Sequence, residues 1–168
     1  MAHFRGPALT LATVEGVFQR HAWRYTGVES GLLTSFEGVM MLLSVDEVRE
    51  TVLVQVPILP GKGMHGYRPL QQPAEHNACV YLMARNYRLL LGGYGRDHTD
   101  GEIRFSVAIP VTATYLSDEQ VEHAILASVG TVTRDAQVLN SLLVGEMSLV
   151  QALAQLDRGG GPPLSMVV

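Results

Sequence analysis

Several residue classes are scarce in this sequence, and each shortage excludes a class of protein. The 168 residues include one cysteine, and only 17% of them are charged. The single cysteine, Cys79, excludes an internal disulfide and any zinc site built on paired thiolates. Lys62 is the one lysine, the arginines are scattered singly, and the net charge is −4. The chain therefore has no basic stripe that could neutralise a phosphate backbone, and direct nucleic-acid binding is not expected.

Long apolar runs are also missing. The apolar runs, such as Val39–Leu43 and Leu89–Leu91, fall far short of the roughly 20 residues that span a bilayer. The first six residues lack the apolar core of a secretion signal. These features predict a cytoplasmic protein with no membrane role.

What the sequence does contain is apolar side chain: 47% of the residues are hydrophobic. A chain of this length and composition can bury a core without disulfides or metals. We expect one domain over residues 1–158. Residues 159–168 begin Gly-Gly-Gly-Pro-Pro, a composition typical of a flexible tail rather than of a helix or strand.

Periodicity and turn residues predict an α+β fold with an antiparallel sheet, in the order α-β-β-β-α-β-β-α. A capping box at Ser117–Gln120 opens the last long helix. Alternating apolar residues mark the strands most clearly in 50–59 and 102–111. The predicted elements are a helix over 10–23, strands over 32–36, 39–45 and 50–59, a helix over 73–86, strands over 87–94 and 102–111, the long helix from 117, and a short helix over 148–156.

No pattern indicates catalysis, a metal site or a cofactor site. The six histidines form no close pair at ligand spacing. His76 and Cys79 lie one helical turn apart, but a nucleophilic cysteine also needs a group that orients its histidine, and none is evident. Gly61-Lys62-Gly63 lacks the upstream glycine and the following Ser or Thr of a phosphate-binding loop.

Surplus hydrophobicity in the predicted strands is the one feature that a single core does not explain. It predicts a second buried surface, either a homodimer interface or a groove for a client segment. Methionine suits such a groove because its flexible side chain repacks around different partners. The alternative is that helices cover both faces of the sheet within one chain. The candidate interface residues are Met40, Met41, Leu42, Leu43, Leu89 and Leu91.

The second half of the chain carries a further pattern: a polar helix end, a strand that ends in glycine and an aromatic residue, an Asp-Gly turn, a strand that ends in proline, and a capped helix. The residues are Asn86-Tyr87, Leu89–Gly92 with Tyr94, Asp100–Phe105, Ile109-Pro110 and Leu116–Gln120. With the element order, this pattern resembles the YbjN-like family of bacterial sensory-transduction regulators and, through it, the type III secretion chaperone-like fold.

The resemblance implies a dimeric, cytoplasmic, non-enzymatic protein that binds a client, and it brings no catalytic motif or cofactor. Two hypotheses follow. The first is a chaperone-like adaptor or regulator that acts as a homodimer; an indirect link to DNA through a DNA-binding partner stays open. The second is a small-molecule sensor or enzyme with a pocket under the 61–72 loop, where His65, Tyr67 and Arg68 would supply polar contacts.

Overall fold

The computed structural model describes residues 10–59, 62–63, 73–111 and 116–158. This part of the chain forms one antiparallel sheet and four helices. The elements are α1 (Leu11–Arg20), β1 (Thr26–Val28), β2 (Gly31–Phe36), β3 (Val39–Asp46), β4 (Thr51–Leu59), α2 (Ala74–Asn86), β5 (Gly93–Arg96), β6 (Ile103–Pro110), α3 (Asp118–Leu143) and α4 (Leu149–Arg158). The predicted α+β class and element order are confirmed. The predicted 61–72 pocket loop, apart from residues 62–63, and the predicted 159–168 tail lie outside the described residues.

The six strands pair in the order β1-β2-β3-β4-β6-β5, and every pair is antiparallel. Strands β1 to β4 form a meander in chain order. After α2 the chain returns on the far side, so that the longer β6 pairs with β4 and the short β5 lies at the edge. The sheet therefore has its longest strands at the centre and its shortest at both edges.

One face of this sheet is the core. Its inward-facing residues include Val52, Val54 and Val56 of β4, and all three are buried. Side chains from α1, α2, α3 and α4 join the same hydrophobic cluster. Because strand side chains alternate between faces, the four helices all pack on the face that these valines occupy. Helices that cover both faces of the sheet, the alternative considered from the sequence, do not occur in the described part of the chain.

Helix α3 begins where its capping box predicts. The Ser117 backbone N–H donates to Gln120 Oε1 at 2.9 Å, and the Gln120 N–H donates to Ser117 Oγ at 3.1 Å. These two bonds satisfy donors that a helix start leaves free. At the other end Gly145 takes a φ of 78°, which suits glycine, just after Val144 closes the helix.

A buried ion pair joins α2 to α3. Arg85 Nε lies 2.9 and 2.8 Å from the two carboxylate oxygens of Asp135, and both residues are buried. The hydroxyl of Tyr94 donates to Asp135 Oδ2 at 2.8 Å, and that of Tyr81 to Oδ1 at 3.4 Å. Burial, reinforced by the negative charge of Asp135, raises the pKa of both tyrosines above its usual value, so they remain hydrogen-bond donors. One carboxylate thus connects α2, α3 and β5.

The bounds of the strand predicted over 87–94 are wrong: β5 covers Gly93–Arg96. After α2 the chain makes turns instead, with the Arg88 N–H donating to Arg85 O at 2.9 Å. Gly92 has a φ of 76°, and a Cβ there would lie 2.7 Å from both the Phe105 ring and Ser106 O. The apolar Leu89–Leu91 run therefore marks a tightly constrained turn, not a strand. β1 was not predicted, and α1 ends three residues earlier than expected.

A second ion pair holds the end of α1 against the start of α3. Arg20 donates through Nε to Asp118 Oδ2 at 2.9 Å and through Nη2 to Oδ1 at 2.5 Å. His21 Nε2 lies 3.2 Å from the same carboxylate, and its ring stacks on Trp23. The Arg20 hydrogen bonds lower the pKa of Asp118 below its ordinary value of 3.8.

Replacement of Asp135 by alanine should lower the free energy of unfolding by about 3–5 kcal/mol, because it leaves the Arg85 guanidinium buried without its counter-ion. Chemical denaturation measures the loss. Gln137→Ala, on the exposed side of the same helix, is the control and should change stability by less than about 0.5 kcal/mol. A loss below about 1 kcal/mol for Asp135→Ala would contradict the role given to the ion pair.

The Arg20–Asp118 pair should make stability depend on pH in the acid range. Because the folded pKa of Asp118 is depressed, its contribution is full well above pH 3.8 and is lost as the pH falls through the lower folded value. Asp118→Asn should therefore be less stable than the natural chain at pH 7 and equal to it at low pH. Thermal unfolding across pH 2–7 tests this, with Glu47→Gln in the exposed β3–β4 turn as control. A pH-independent difference would be incompatible with this assignment.

Candidate protein-binding surface

The face of the sheet opposite the helices carries a group of aliphatic side chains from four adjacent strands, which we call the open face. It includes one residue from β2, two from β3, one from β4 and one from β6. They are Leu33, Met40, Leu42, Leu53 and Ala108.

The strand register brings these side chains together. Leu33 of β2 lies opposite Leu42 of β3, and Leu53 of β4 lies opposite Ala108 of β6. Leu42 pairs with Gln55, two residues from Leu53 on the same face of β4. Directly paired residues on one face are about 5 Å apart and diagonal neighbours about 7–8 Å, so the aliphatic groups form a continuous strip across the sheet.

The strip is only partly shielded from water. Met40 is 54% exposed and Ala108 is exposed, whereas Leu33, Leu42 and Leu53 are half-buried. Large aliphatic side chains on a sheet face that the described helices leave uncovered favour contact with another apolar surface. The arrangement can therefore bind another surface by burying apolar side chains.

Charge is confined to the rim of the open face, where described groups already neutralise it. Arg104 Nη2 lies 2.8 Å from Glu102 and 3.3 Å from Asp97. At the other end of the strands, Asp46 pairs with Arg49 at 3.5 Å. The positions between the aliphatic groups are filled by uncharged polar residues: Ser35, Ser44, Gln55 and Ser106. The face is therefore apolar at its centre and uncharged across it.

The candidate interface residues from β3 divide between the two faces. Met40 and Leu42 lie on the open face. Met41 and Leu43 are fully buried in the core on the helix side, so the expectation that a partner contacts them is corrected. Both faces of β3 are apolar, and the sequence of this strand does not show which alternate set lies inside.

The two candidates from the Leu89–Leu91 run lie apart from the open face. Leu89 is half-buried and packs against the core, and Leu91 is exposed. Both belong to the turn between α2 and β5 rather than to a strand, because Gly92 and Asn86 fix the path of the chain there. Asn86 Nδ2 donates to Tyr94 O at 2.9 Å, and Asn86 Oδ1 accepts from Tyr94 N at 2.7 Å.

Leu33, Leu53 and Ala108 are the open-face residues that the sequence analysis missed. Leu53 alternates with the buried valines of β4, so its side chain lies on the opposite face from them. The strand register shows that Leu53 lies beside Ala108 and near Leu42, and only this placement makes it a candidate binding residue. The strand pairing, not the strand sequence, carries that information.

We also considered a metal site, a membrane-spanning helix and a small-molecule pocket in the described residues. Among them, no group of three His, Cys, Asp or Glu residues is placed to hold a metal ion. No helix that the structure describes is both long and apolar enough to cross a membrane. His65, Tyr67 and Arg68, the polar contacts of the sensor or enzyme hypothesis, lie outside the described ranges.

Neighbouring methionines on opposite faces of β3 give a direct test of this assignment. Met41→Ala should reduce the free energy of unfolding by about 2–5 kcal/mol, because it opens a cavity in the core. Met40→Ala removes a side chain that is 54% exposed and should cost less than about 0.5 kcal/mol. Urea denaturation of the two variants measures both values. Equal losses would mean that the two faces are wrongly assigned.

Comparison with known proteins gives a likeness in fold. No family profile and no curated protein sequence matches the chain. A chain in the crystal structure of the ExsC–ExsE complex superposes with a TM-score of 0.50 at 14% identity, over 77% of this chain and 92% of that one.

Two further structures give TM-scores of 0.49. One is a chain of the HopA1–SchA chaperone–effector complex, at 17% identity over 75% of this chain and 91% of that one. The other is YbjN from E. coli, at 12% identity over 93% of this chain and 98% of that one. The ExsC–ExsE match confirms the predicted chaperone-like fold.

Proposed function

We propose that this chain is a non-enzymatic, chaperone-like adaptor that acts as a homodimer and binds an apolar segment of a partner protein on its open face. The observation that carries the proposal is the aliphatic strip from Leu33 to Ala108 on a sheet face that the described helices do not cover.

The composition of the open face favours a protein client over a charged ligand. A patch with no charge at its centre gains binding energy from apolar burial, at roughly 25 cal/mol per Å² removed from water. The half-buried leucines provide a fixed floor, and Met40 can adjust its side chain to the client. Seryl and glutaminyl groups between them can pair with the client's backbone.

The fold comparison supports the same class of function. The ExsC–ExsE structure, which has a TM-score of 0.50 with this chain, is a complex of two proteins. A protein of the same fold therefore forms a complex with another protein.

The edge of β1 supports the homodimer. Thr26, Gly27 and Val28 pair with β2 on one side, and all three are exposed. An exposed strand edge is a template for antiparallel pairing with a second strand. Pairing of two β1 strands about a two-fold axis would continue the sheet from one protomer to the next and place the two open faces side by side.

Affinity capture with matched variants tests client binding. A partner retained by the natural chain should be retained by Val48→Glu, in the exposed β3–β4 turn, and lost by Met40→Glu and by Ala108→Glu on the open face. Titration of the recovered partner should show affinity at least about tenfold weaker for the two open-face variants, because a charge there must be desolvated. Circular dichroism checks that all three variants fold.

Two results would refute the client site. One is equal binding by Met40→Glu, Ala108→Glu and Val48→Glu. The other is a partner whose binding depends on the β3–β4 turn instead of the open face.

Light scattering tests the homodimer separately. The natural chain should have twice the mass of one protomer, whereas Val28→Lys should shift it toward the single-protomer mass, because a lysine on an edge strand opposes edge pairing. A natural chain with the mass of one protomer would remove the dimer from the proposal without affecting the client site.

A further inference from the structure

The two edge strands of the sheet differ in what lies against their outer backbone. At one edge, all three residues of β1 are exposed. At the other edge, β5 pairs with β6 through the four residues from Gly93 to Arg96. An edge strand directs alternate backbone N–H and C=O groups away from the sheet, where a strand of another chain can pair with them.

The outward backbone groups of Tyr94 in β5 are already bonded to a side chain of α2. The Tyr94 N–H donates to Asn86 Oδ1 at 2.7 Å, and Asn86 Nδ2 donates to Tyr94 O at 2.9 Å. In a hydrogen-bonded antiparallel pair, each residue exchanges both of these bonds with the residue opposite. The Asn86 carboxamide offers one acceptor and one donor side by side and reproduces that exchange. It therefore takes the place that a residue of an added strand would occupy.

The helix that carries this carboxamide is fixed along β5 near both of its ends. Asn86 is the last residue of α2, and Asp135, whose buried ion pair joins α2 to α3, also accepts from the Tyr94 hydroxyl at 2.8 Å. Near the start of α2, Glu75 pairs with Arg96 of β5. The position of the carboxamide against the edge is thus set by contacts on both sides of it.

We infer that Asn86 closes the β5 edge to strand addition, so that of the two sheet edges that the structure describes only β1 can pair with a strand of another chain. A homodimer that pairs through β1 then has a closed β5 edge at each end, and it cannot extend into a longer assembly. The limit to two chains rests on the proposed homodimer, whereas the closure of β5 does not.

Removal of the carboxamide should open the β5 edge. In light scattering across a concentration series, Asn86→Ala should exceed the mass of the natural chain, because β5 edges can then pair as well. Addition of Val28→Lys, which opposes pairing at β1, should return the Asn86→Ala chain to two protomers joined through β5. Asn140→Ala makes the same replacement at an exposed position of α3 and, as the control, should keep the natural mass.

The homodimer and the closed edge can fail separately in this experiment. If the natural chain has the mass of one protomer, pairing through β1 is wrong, and Asn86→Ala should still form a pair through β5. A folded Asn86→Ala chain, verified by circular dichroism, whose mass equals that of the natural chain at every concentration would overturn the closure of β5.

Hydrogen exchange tests the closed edge in the natural chain as well. The Tyr94 amide donates to Asn86 rather than to β6, so its protection depends on that side chain. It should exchange slowly in the natural chain and at least about fivefold faster in Asn86→Ala, with no change in Asn140→Ala. A Tyr94 amide that exchanges in the natural chain as fast as an unprotected amide would overturn the inference without any variant.

Discussion

All four described helices pack against the same face of one antiparallel sheet, and this one-sided packing determines what the rest of the molecule can do. Strand side chains alternate between two faces, so the described helices, which cover one face, leave the alternate set uncovered. Here that set includes Leu33, Leu42 and Leu53. A soluble domain usually places polar residues at such positions. The proposed binding function would explain why these positions of the open face carry aliphatic residues instead.

The buried carboxylate of Asp135 keeps the helical layer in place. It joins α2 to α3 through Arg85 and reaches β5 through Tyr94, so the position of α2 over the sheet depends on one charged network. Breaking such a network by removing one member is costly, because the remaining charge stays buried. From the end of α2, Arg88 then holds α4. A series of polar contacts thus links α2 to α3, β5 and α4.

The sequence predicted the elements whose pattern has a single physical meaning. In β4 the valines, and in β6 isoleucine, phenylalanine and valine, recur at every second position, and this alternation indicates one buried face. The Ser117–Gln120 capping box specifies a helix start through hydrogen bonds that are local in the chain. These elements were placed within a few residues.

Prediction was incomplete or wrong where the pattern is ambiguous or the cause lies far away in the chain. The Leu89–Leu91 run has no period that separates a strand from an apolar turn, and the positive φ of Gly92 decides the outcome. In β3 both alternate sets are apolar, and only pairing with β4 shows that Met41 lies inside and Met40 outside. The sequence therefore indicated one strand of the open face, with Met40 and Leu42, whereas the neighbours of that strand in the sheet required the register.

Oxidative footprinting of the adjacent methionines, in the free chain and in its complex with the captured partner, tests the central claim most directly. Oxidation follows exposure of the sulfur, so Met40 should react in the free protein while Met41 stays reduced. When the partner is bound, the account predicts that Met40 becomes protected while the protein stays folded. Oxidation of Met40 at the same rate with and without the partner would contradict the claim that the open face is the binding surface.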